Sequence, residues 1–529
     1  MNFRGLHTHQ RATAVVLGFA AFLLFALTMS RGITWLNHGM DGGDFISAAR
    51  LWGVPHPTGY PTYTIALRIF GDVVAIGDHA FRTNLFSAVA GALTVPFVFL
   101  SARRVLGLLP DSEVGSLQLR YWAAVLAALA FATSRLFWSQ STITEVYTLN
   151  ALFASILLLL GLKIVEQVQG GESAHRLKVI AALVFGIGLG NHTTLGLMAA
   201  PFGIWILWLI WKNERWRGVL DWRSLVALLA GLSVYAYVPI AAAADPQVNW
   251  GVADSIEGLR WMVSGSIYQP YAFGLSNEYI SGRIATIAEL LFTQYTVIGM
   301  LLGIAGLTTI WNFSRPFVIA SLSAVIVIAV YAVSYDTVDS FIYLILGFML
   351  FSTWIAVGAA NLATSITKWL QKRGGFEPWV PRVPGLVVGL VALLIPVWSI
   401  GFGWSETNLA DDPEPTEFVE ATVERAIGGV VMAEEPQLFP LVYESIVGSP
   451  DSDVMVVGPV MLQFDWYWDQ LAAAYPDRMP GERPDGYSIR LQSIVGHNFG
   501  HVPIYATHDD RDHYDQFLLI EDGELFRVE

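Results

Sequence analysis

The 529-residue sequence has no cysteine, which excludes disulfides, thiolate metal centres, iron–sulfur clusters and cysteine nucleophiles. Charge is also scarce. Asp, Glu, Lys and Arg make up 14% of the chain, against about 25% in soluble domains, while 54% of residues are hydrophobic and 13% aromatic. A water-soluble globule is excluded, and carboxylates, histidines and arginines are left to carry any chemistry. The sequence has no internal repeat and no low-complexity tract, and its tail has no G-x-G-x-x-G or Walker loop, so no nucleotide site is expected.

Lysine is missing altogether from residues 401–529, where 25 acids face 6 arginines for a net charge of −19; the rest of the chain has 19 acids and 24 bases, a net of +5. An acidic tail repels a polyphosphate backbone, so nucleic acid is not an expected partner.

What the chain has in abundance is uncharged apolar runs approaching the ~20 residues needed to cross a ~30 Å hydrocarbon core. The first, 12–30, follows Arg11 and is longer than the ~7–15 residues of a signal-peptide core, so it reads as a retained span. Further spans are expected at 84–102, 121–139, 146–162, 179–191, 195–211, 225–243, 286–311, 317–334, 341–366 and 386–402. The sum is eleven, with the pair around Asn191 the shortest. Segment 61–77 is apolar but interrupted by Arg68 and Asp72, and reads as a helix lying in the interface. With the N-terminus in the cytoplasm, Arg103, Arg104, Lys163, Lys178, Lys212, Lys368 and Lys372 all fall inside, as basic residues should. The odd span count then places the tail outside. Its β-rich runs 429–433, 453–458 and 503–507, helices from Pro436 and Asp465 and a hairpin near Gly523 predict a small α/β unit. The division is thus 1–403, a membrane domain, and 404–529, an extracytoplasmic domain. The tail run 464–468, F-D-W-Y-W, suits packing on the membrane part as well as binding a glycan or peptide.

Polar side chains are costly in hydrocarbon, and here they cluster at the outer ends of spans. Asp41 and Asp44 stand three apart at a helix start, so their carboxylates share one face. Such a pair can supply a base of raised pKa, or it can simply cap the helix. His56 lies in the irregular run H-P-T-G-Y-P, suited to a turn or to a phosphate or sugar contact. Asp41, Asp44 and His56 could also hold a divalent cation, but without a diagnostic spacing no metal or other cofactor is expected. Glu145, Tyr147 and Asn150 follow a polar turn, and Asn191 and His192 follow G-I-G-L-G, a pattern for close backbone packing. Trp250 and Tyr268 can stack on sugar or belong to an interfacial aromatic belt.

Several ordered motifs together resemble a family. D-G-G-D-F-I-S-A-A from Asp41, H-P-T-G-Y-P from His56, R-T-N-L-F-S-A from Arg82, T-E-V-Y-T-L-N from Thr144, G-L-G-N-H from Gly188, N-W-G from Asn249 and Y-D-T-V-D-S from Tyr335 look like bacterial relatives of the eukaryotic protein O-mannosyltransferase that modifies IPT domains of plexins and receptor kinases. That family belongs to the GT-C superfamily of membrane glycosyltransferases. The family's D-S-G-E and H-P-P-G-Y-P-L become here D-G-G-D from Asp41 and H-P-T-G-Y-P-T from His56, so the second acid is one methylene shorter.

The resemblance implies a GT-C-like polytopic helical protein of the bacterial cytoplasmic membrane that moves a hexose such as mannose from a polyprenyl-phosphate donor to an outer acceptor, a protein Ser/Thr hydroxyl. Asp41 is the first choice of base, with Asp44 second. Tyr60, Glu145, Asp336 and Asp339 join the substrate site, and Arg50, Arg82, Arg260 and Arg283 are the outer arginines able to clasp phosphate through two bonds. Attack opposite the phosphate inverts the anomeric centre. Two other readings stand beside it: transfer to a lipid or cell-envelope glycan, and a lipid-linked sugar flippase. A flippase would place ionisable groups at broken helices near the bilayer midplane, often with repeat symmetry.

Overall fold

The computed structural model describes residues 3–219, 221–373, 383–509, 514 and 516–529. All eleven expected spans are helical. Among the described residues nine helical segments are long and apolar enough to cross a membrane. The other two, Leu117–Ala132 and His175–Leu189, have 16 and 15 residues, about 24 and 22 Å of helix.

Helix α1 (Phe3–Thr28) shows how composition sorts the faces. Its Leu17, Ala21 and Phe25 are buried, whereas Val15, Val16, Phe19, Leu23 and Leu27 are exposed, an arrangement that suits lipid rather than water. At the centre runs helix Ile345–Arg373, in which every residue from Ile345 to Ala360 is buried, as its apolar character on all sides requires. The G-I-G-L-G pattern works as expected. A Cβ on Gly186 would come within 2.6 Å of the Leu228 carbonyl oxygen, and one on Gly231 within 2.6 Å of the Leu183 oxygen, so the two helices touch backbone to backbone.

Between the first two spans the chain forms α2 (Gly42–Leu51), an irregular turn, and α3 (Pro61–Val73) before entering α4 (His79–Gly107). At 13 residues, α3 is about 20 Å long, too short to span. It keeps Ile69 and Val73 exposed, in keeping with an interfacial helix.

Long-range hydrogen bonds gather the polar ends of the spans on one side. Ser30 N–H donates to the Thr142 oxygen at 3.0 Å and Thr62 N–H to the Gly190 oxygen at 3.0 Å, and Leu409 N–H reaches the Thr28 oxygen at 2.8 Å. The Asn84 amide donates to the Ser30 and Gly32 oxygens at 3.1 and 3.0 Å. The connections at the other end carry ion pairs instead, Arg104 with Glu166, Arg120 with Asp111, and Lys178 with Glu214 at 3.5 Å.

The tail folds into the expected α/β unit. Strands β1 (Val430–Met432), β2 (Met455–Val457), β3 (Ile504–Ala506), β4 (Leu519–Asp522) and β5 (Leu525–Val528) make one sheet in the order β2-β1-β3-β5-β4. The first three are parallel and wholly buried, as parallel strands usually are, and β4–β5 form the hairpin. Helices Glu414–Arg425 and Tyr487–Asn498 are additions that sequence periodicity missed, because their polar faces dilute the apolar stripe.

Candidate active site

The first turn of α2 begins at Asp41 and carries Asp44 one turn along. Asp41 occupies the capping position but makes no side-chain capping bond. Its carboxylate is therefore not committed to a capping bond, although it stands with Asp44 at the positive end of the helix dipole.

Asp44 is buried and fully engaged. One carboxylate oxygen accepts the His56 backbone N–H at 2.9 Å and contacts His56 Nδ1 at 2.8 Å, and the other accepts the Trp250 indole N–H at 3.0 Å. This fixes the imidazole so that Nε2 points to Asp41, 3.6 Å from its Oδ2. Phe45 and Tyr60 flank the ring at centroid distances of 4.9 and 5.0 Å, and Tyr268 lies at 6.4 Å. The proline- and glycine-rich turn after His56 thus serves to bring the imidazole over α2.

Asp41 keeps 35% of its side chain exposed although protein surrounds it. Burial raises its carboxyl to about 6; His56 opposes the rise, and Asp339, Glu435 and Asp44 add to it. For His56, burial favours the neutral ring, but Asp41 and the bond to Asp44 outweigh it and raise the imidazole above its ordinary value. The imidazole and the Asp41 carboxyl thus face each other with both pKa values raised, each favouring the charged form of the other, and Asp44 is bonded behind the ring.

Glu145 is buried close to this pair, and burial followed by the charge of Asp41 pushes its carboxyl well up. It accepts the Val146 N–H at 3.2 Å. Asn191 donates to the Val146 oxygen and Asn150 to the Thr194 hydroxyl, both at 3.1 Å. Their amide oxygens have no partner. His192 Nδ1 accepts the Thr194 N–H at 3.2 Å, which leaves the proton on Nε2, and burial lowers its pKa to about 4. Tyr60, Tyr147 and Tyr343 lie 5.9, 5.5 and 5.8 Å from this neutral ring. Tyr331 and Tyr335 extend the wall from Tyr343 at 5.4 and 5.8 Å. The sequence reading missed Tyr331 and Tyr343; the four-residue spacing of Tyr331, Tyr335, Asp339 and Tyr343 was the available signal.

The arginines divide differently. Arg82 donates to the carbonyls of Gly71, Ile76 and Gly77 at 3.2, 3.3 and 2.9 Å, closing the loop after α3. Arg283 donates to the Ser340 hydroxyl at 2.8 Å and the Thr337 oxygen at 3.0 Å, approaches Asp336 at 4.0 Å, and so holds the turn that carries Asp339. Arg50 and Arg260 are exposed, on α2 and on helix Ile256–Val263. Among the charges that act most on Asp41, His56 is the cation. The guanidinium set expected from the sequence therefore does not converge on the paired aspartates.

The tail supplies residues that reading the spans could not. Glu435 faces the site, where burial raises its carboxyl, His56 opposes the rise and Asp339 adds to it. Phe439 and Trp466 lie 6.0 and 5.5 Å from Trp250, so the 464–468 run packs on the membrane part. Among the described residues no group of three or more His, Asp or Glu is arranged to hold a metal ion.

With this geometry in view, the likeness to known proteins can be located. Residues 41–217 match the family model of the protein O-mannosyl-transferase TMEM260 N-terminal domain, a segment that opens on Asp41. The chain is similar to protein O-mannosyl-transferase TMEM260 of Mus musculus, 29% identical over 277 residues that cover 52% of this chain and 36% of that protein. It is also similar to the Dictyostelium discoideum protein of that name, 21% identical with coverage of 96% and 65%. The chain thus spans about a third to two thirds of the length of these relatives. The resemblance read from the motifs is borne out.

Among solved structures the chain resembles ArnT from Cupriavidus metallidurans bound to undecaprenyl phosphate, with TM-score 0.59, 14% identity and coverage of 100% and 98%. It also resembles the Archaeoglobus fulgidus oligosaccharyltransferase tethered with an acceptor peptide, with TM-score 0.55, 11% identity and coverage of 95% and 69%. The expected GT-C-like fold, a multi-pass helical membrane protein with a small terminal sheet, is shown.

Proposed function

We propose that this chain is a membrane glycosyltransferase that transfers a hexose, mannose in the first instance, from a polyprenyl-phosphate donor to the hydroxyl of an extracytoplasmic protein Ser or Thr. The observation that carries the reading is the Asp44–His56–Asp41 array. One carboxylate is bonded through both oxygens and orients an imidazole, leaving a second carboxylate partly exposed and, among the described residues, without a hydrogen-bond donor of its own. The names of the relatives, protein O-mannosyl-transferases, support the reaction class, and the undecaprenyl phosphate named in the ArnT structure supports the donor class.

In the proposed reaction Asp41 accepts the proton of the acceptor hydroxyl as its oxygen forms a bond to the anomeric carbon. The bond from that carbon to the phosphate oxygen breaks, and the lipid phosphate leaves with the electron pair. Attack from the face opposite the phosphate inverts the centre. The His56 imidazole keeps Asp41 ionised until the acceptor hydroxyl delivers its proton, and the tyrosine wall offers hydroxyl donors and flat faces to the sugar. Glu145, Asn150, Asn191, His192, Asp336 and Asp339 line or brace the sugar side, and Arg50, Arg260 and Arg283 remain candidates for longer-range attraction of the donor.

The proposed setting is the bacterial cytoplasmic membrane with the N-terminus inside and the site outside. Residues 1–403 form the catalytic membrane domain and 404–529 its extracytoplasmic companion. The absence of charged residues at the centres of the expected spans favours a transferase over a flippase.

The test is to incubate purified protein in lipid with labelled polyprenyl-phosphate-mannose or -glucose and hydroxyl-bearing acceptors. Transfer of label to peptide is expected. Label on a glycan only would change the acceptor, and movement of the lipid-linked sugar across vesicles without product would replace the transferase with a flippase.

A further inference from the structure

Trp250 joins the two halves of the molecule. Its indole N–H holds Asp44 at 3.0 Å, while its own backbone is fixed beside the His56 turn: Trp250 N–H donates to the Val54 oxygen at 3.1 Å and Val54 N–H to the Val248 oxygen at 2.8 Å. From the other side the tail encloses it. Trp466 lies against the indole at 5.5 Å and 44°, Phe464 stacks on Trp466 at 5.5 Å and 18°, and Phe439 approaches the indole at 6.0 Å. Gln470 on helix Asp465–Ala474 donates its amide to the Asn249 oxygen at 2.5 Å. A second contact lies at Gly43, whose Cβ position is occupied by the Phe439–Pro440 backbone, so α2 itself rests on the tail.

We infer that Trp466 and Gln470 of the tail are positioning residues for the reaction, acting through Trp250 to fix Asp44 and hence the imidazole that faces Asp41. Trp250 is buried, and its one polar atom is used on Asp44. An indole that loses its backing ring gains rotational freedom, and a tilt of about 20° moves a hydrogen bond of this kind away from its best alignment. The bond chain then transmits the slack: Asp44 loses a donor and turns toward its remaining partner, the His56 imidazole, so that Nε2 is no longer aimed at Asp41. The tail is therefore a working part of the site: its aromatic contacts set the geometry of a group whose misplacement by about 1 Å can cost on the order of 100-fold in rate.

This inference rests on the transferase reading for its effect on rate, but its central statement can be read without any turnover. The His56 titration is followed by NMR in the full chain with labelled histidine in lipid nanodiscs, the signal being assigned by its loss in His56→Asn. The titratable groups facing that ring are Asp41 and Asp44 of the α2 segment, Tyr60, Tyr268, Glu435 of the tail and His192. Trp250→Phe removes the N–H and leaves Asp44 with the imidazolium as its main partner, so the His56 titration should move up, by about half a pH unit. Trp466→Ala should move it in the same direction by less, and Trp466→Phe should restore it. Gln470→Leu, a smaller change, covers the case in which Trp466→Ala does not fold. In transfer assays the first two variants should lose kcat about 10- to 100-fold with donor KM unchanged. A His56 titration unmoved by Trp466→Ala, or by Gln470→Leu where Trp466→Ala is unfolded, overturns the inference. A wild-type protein without transfer activity, whose His56 titration still responds to Trp466, instead sinks the transferase reading and leaves the coupling standing.

Discussion

The two sides of His56 are built from one helix turn and treated in opposite ways. On the Asp44 side both carboxylate oxygens are bonded, to a backbone N–H, an imidazole and an indole, and the residue is buried. On the Asp41 side His56 Nε2 stands 3.6 Å away, no capping bond forms, and about a third of the side chain is exposed. Buried polar groups in folded proteins are nearly always satisfied, so the contrast marks where the molecule stores rigidity and where it leaves room for a reacting group. A satisfied carboxylate makes a poor base and a good anchor; its neighbour has the converse properties.

The largest effect expected from breaking this contrast is on the anchor side. Asp44→Ala leaves an imidazolium and an indole N–H buried without their partner, and should cost about 3–5 kcal/mol of stability, visible as a large fall in the thermal midpoint of the protein in detergent. Asp41→Asn should do the reverse. Because the Asp41 carboxyl rises from its ordinary 3.8 to about 6 in the fold, its charge opposes folding once the pH passes about 6 and does not below 3.8. The variant should therefore melt higher than wild type at pH 7.5 and no higher at pH 3.5. A fall in midpoint at pH 7.5 would show that Asp41 is a structural cap.

Next in size is the pH profile. Transfer should fall as the pH drops through about 6, where Asp41 takes up a proton. It should fall again on the alkaline side as His56, raised above its ordinary 6.5, loses its charge. The same raised imidazole stabilises the fold fully below pH 6.5 and ceases to do so as the pH rises through its folded value. A rate that is flat from pH 5 to 7 would remove Asp41 from the chemistry.

The smallest effect sharpens the comparison from outside the site. Arg82→Ala deprives three loop carbonyls of their donor and should lower stability by about 1–3 kcal/mol while leaving donor KM unchanged. A large rise in donor KM would restore the phosphate role that its outer position suggested.

The helical membrane fold was legible because its rule is local: uninterrupted apolar runs of sufficient length must be helical in lipid. The paired aspartates were legible for the same reason, since three-residue spacing at a helix start fixes a shared face. What spacing could not reveal was which partner each would meet. Asp44 and Trp250 are separated by 206 positions, and no periodicity links them. Arg82 looked like a phosphate ligand because guanidinium groups bind phosphate, yet the loop after α3 left three carbonyls for it to satisfy. Glu435 and Phe439 belong to an acidic tail whose composition suggested only a separate soluble unit. The G-I-G-L-G run, by contrast, marked its own close helix contact, made at Gly186, because the absence of a side chain is itself the determinant.

The most direct test sets the two aspartates against each other in one assay. Transfer from polyprenyl-phosphate-mannose is measured for Asp41→Asn and Asp44→Asn, each in lipid with its folded state verified. The account predicts a loss of about 100- to 10,000-fold for Asp41→Asn, the contribution of a general base, and measurable residual turnover for Asp44→Asn, whose amide can still accept one of the three bonds. Wild-type turnover by Asp41→Asn beside an inactive Asp44→Asn would contradict it.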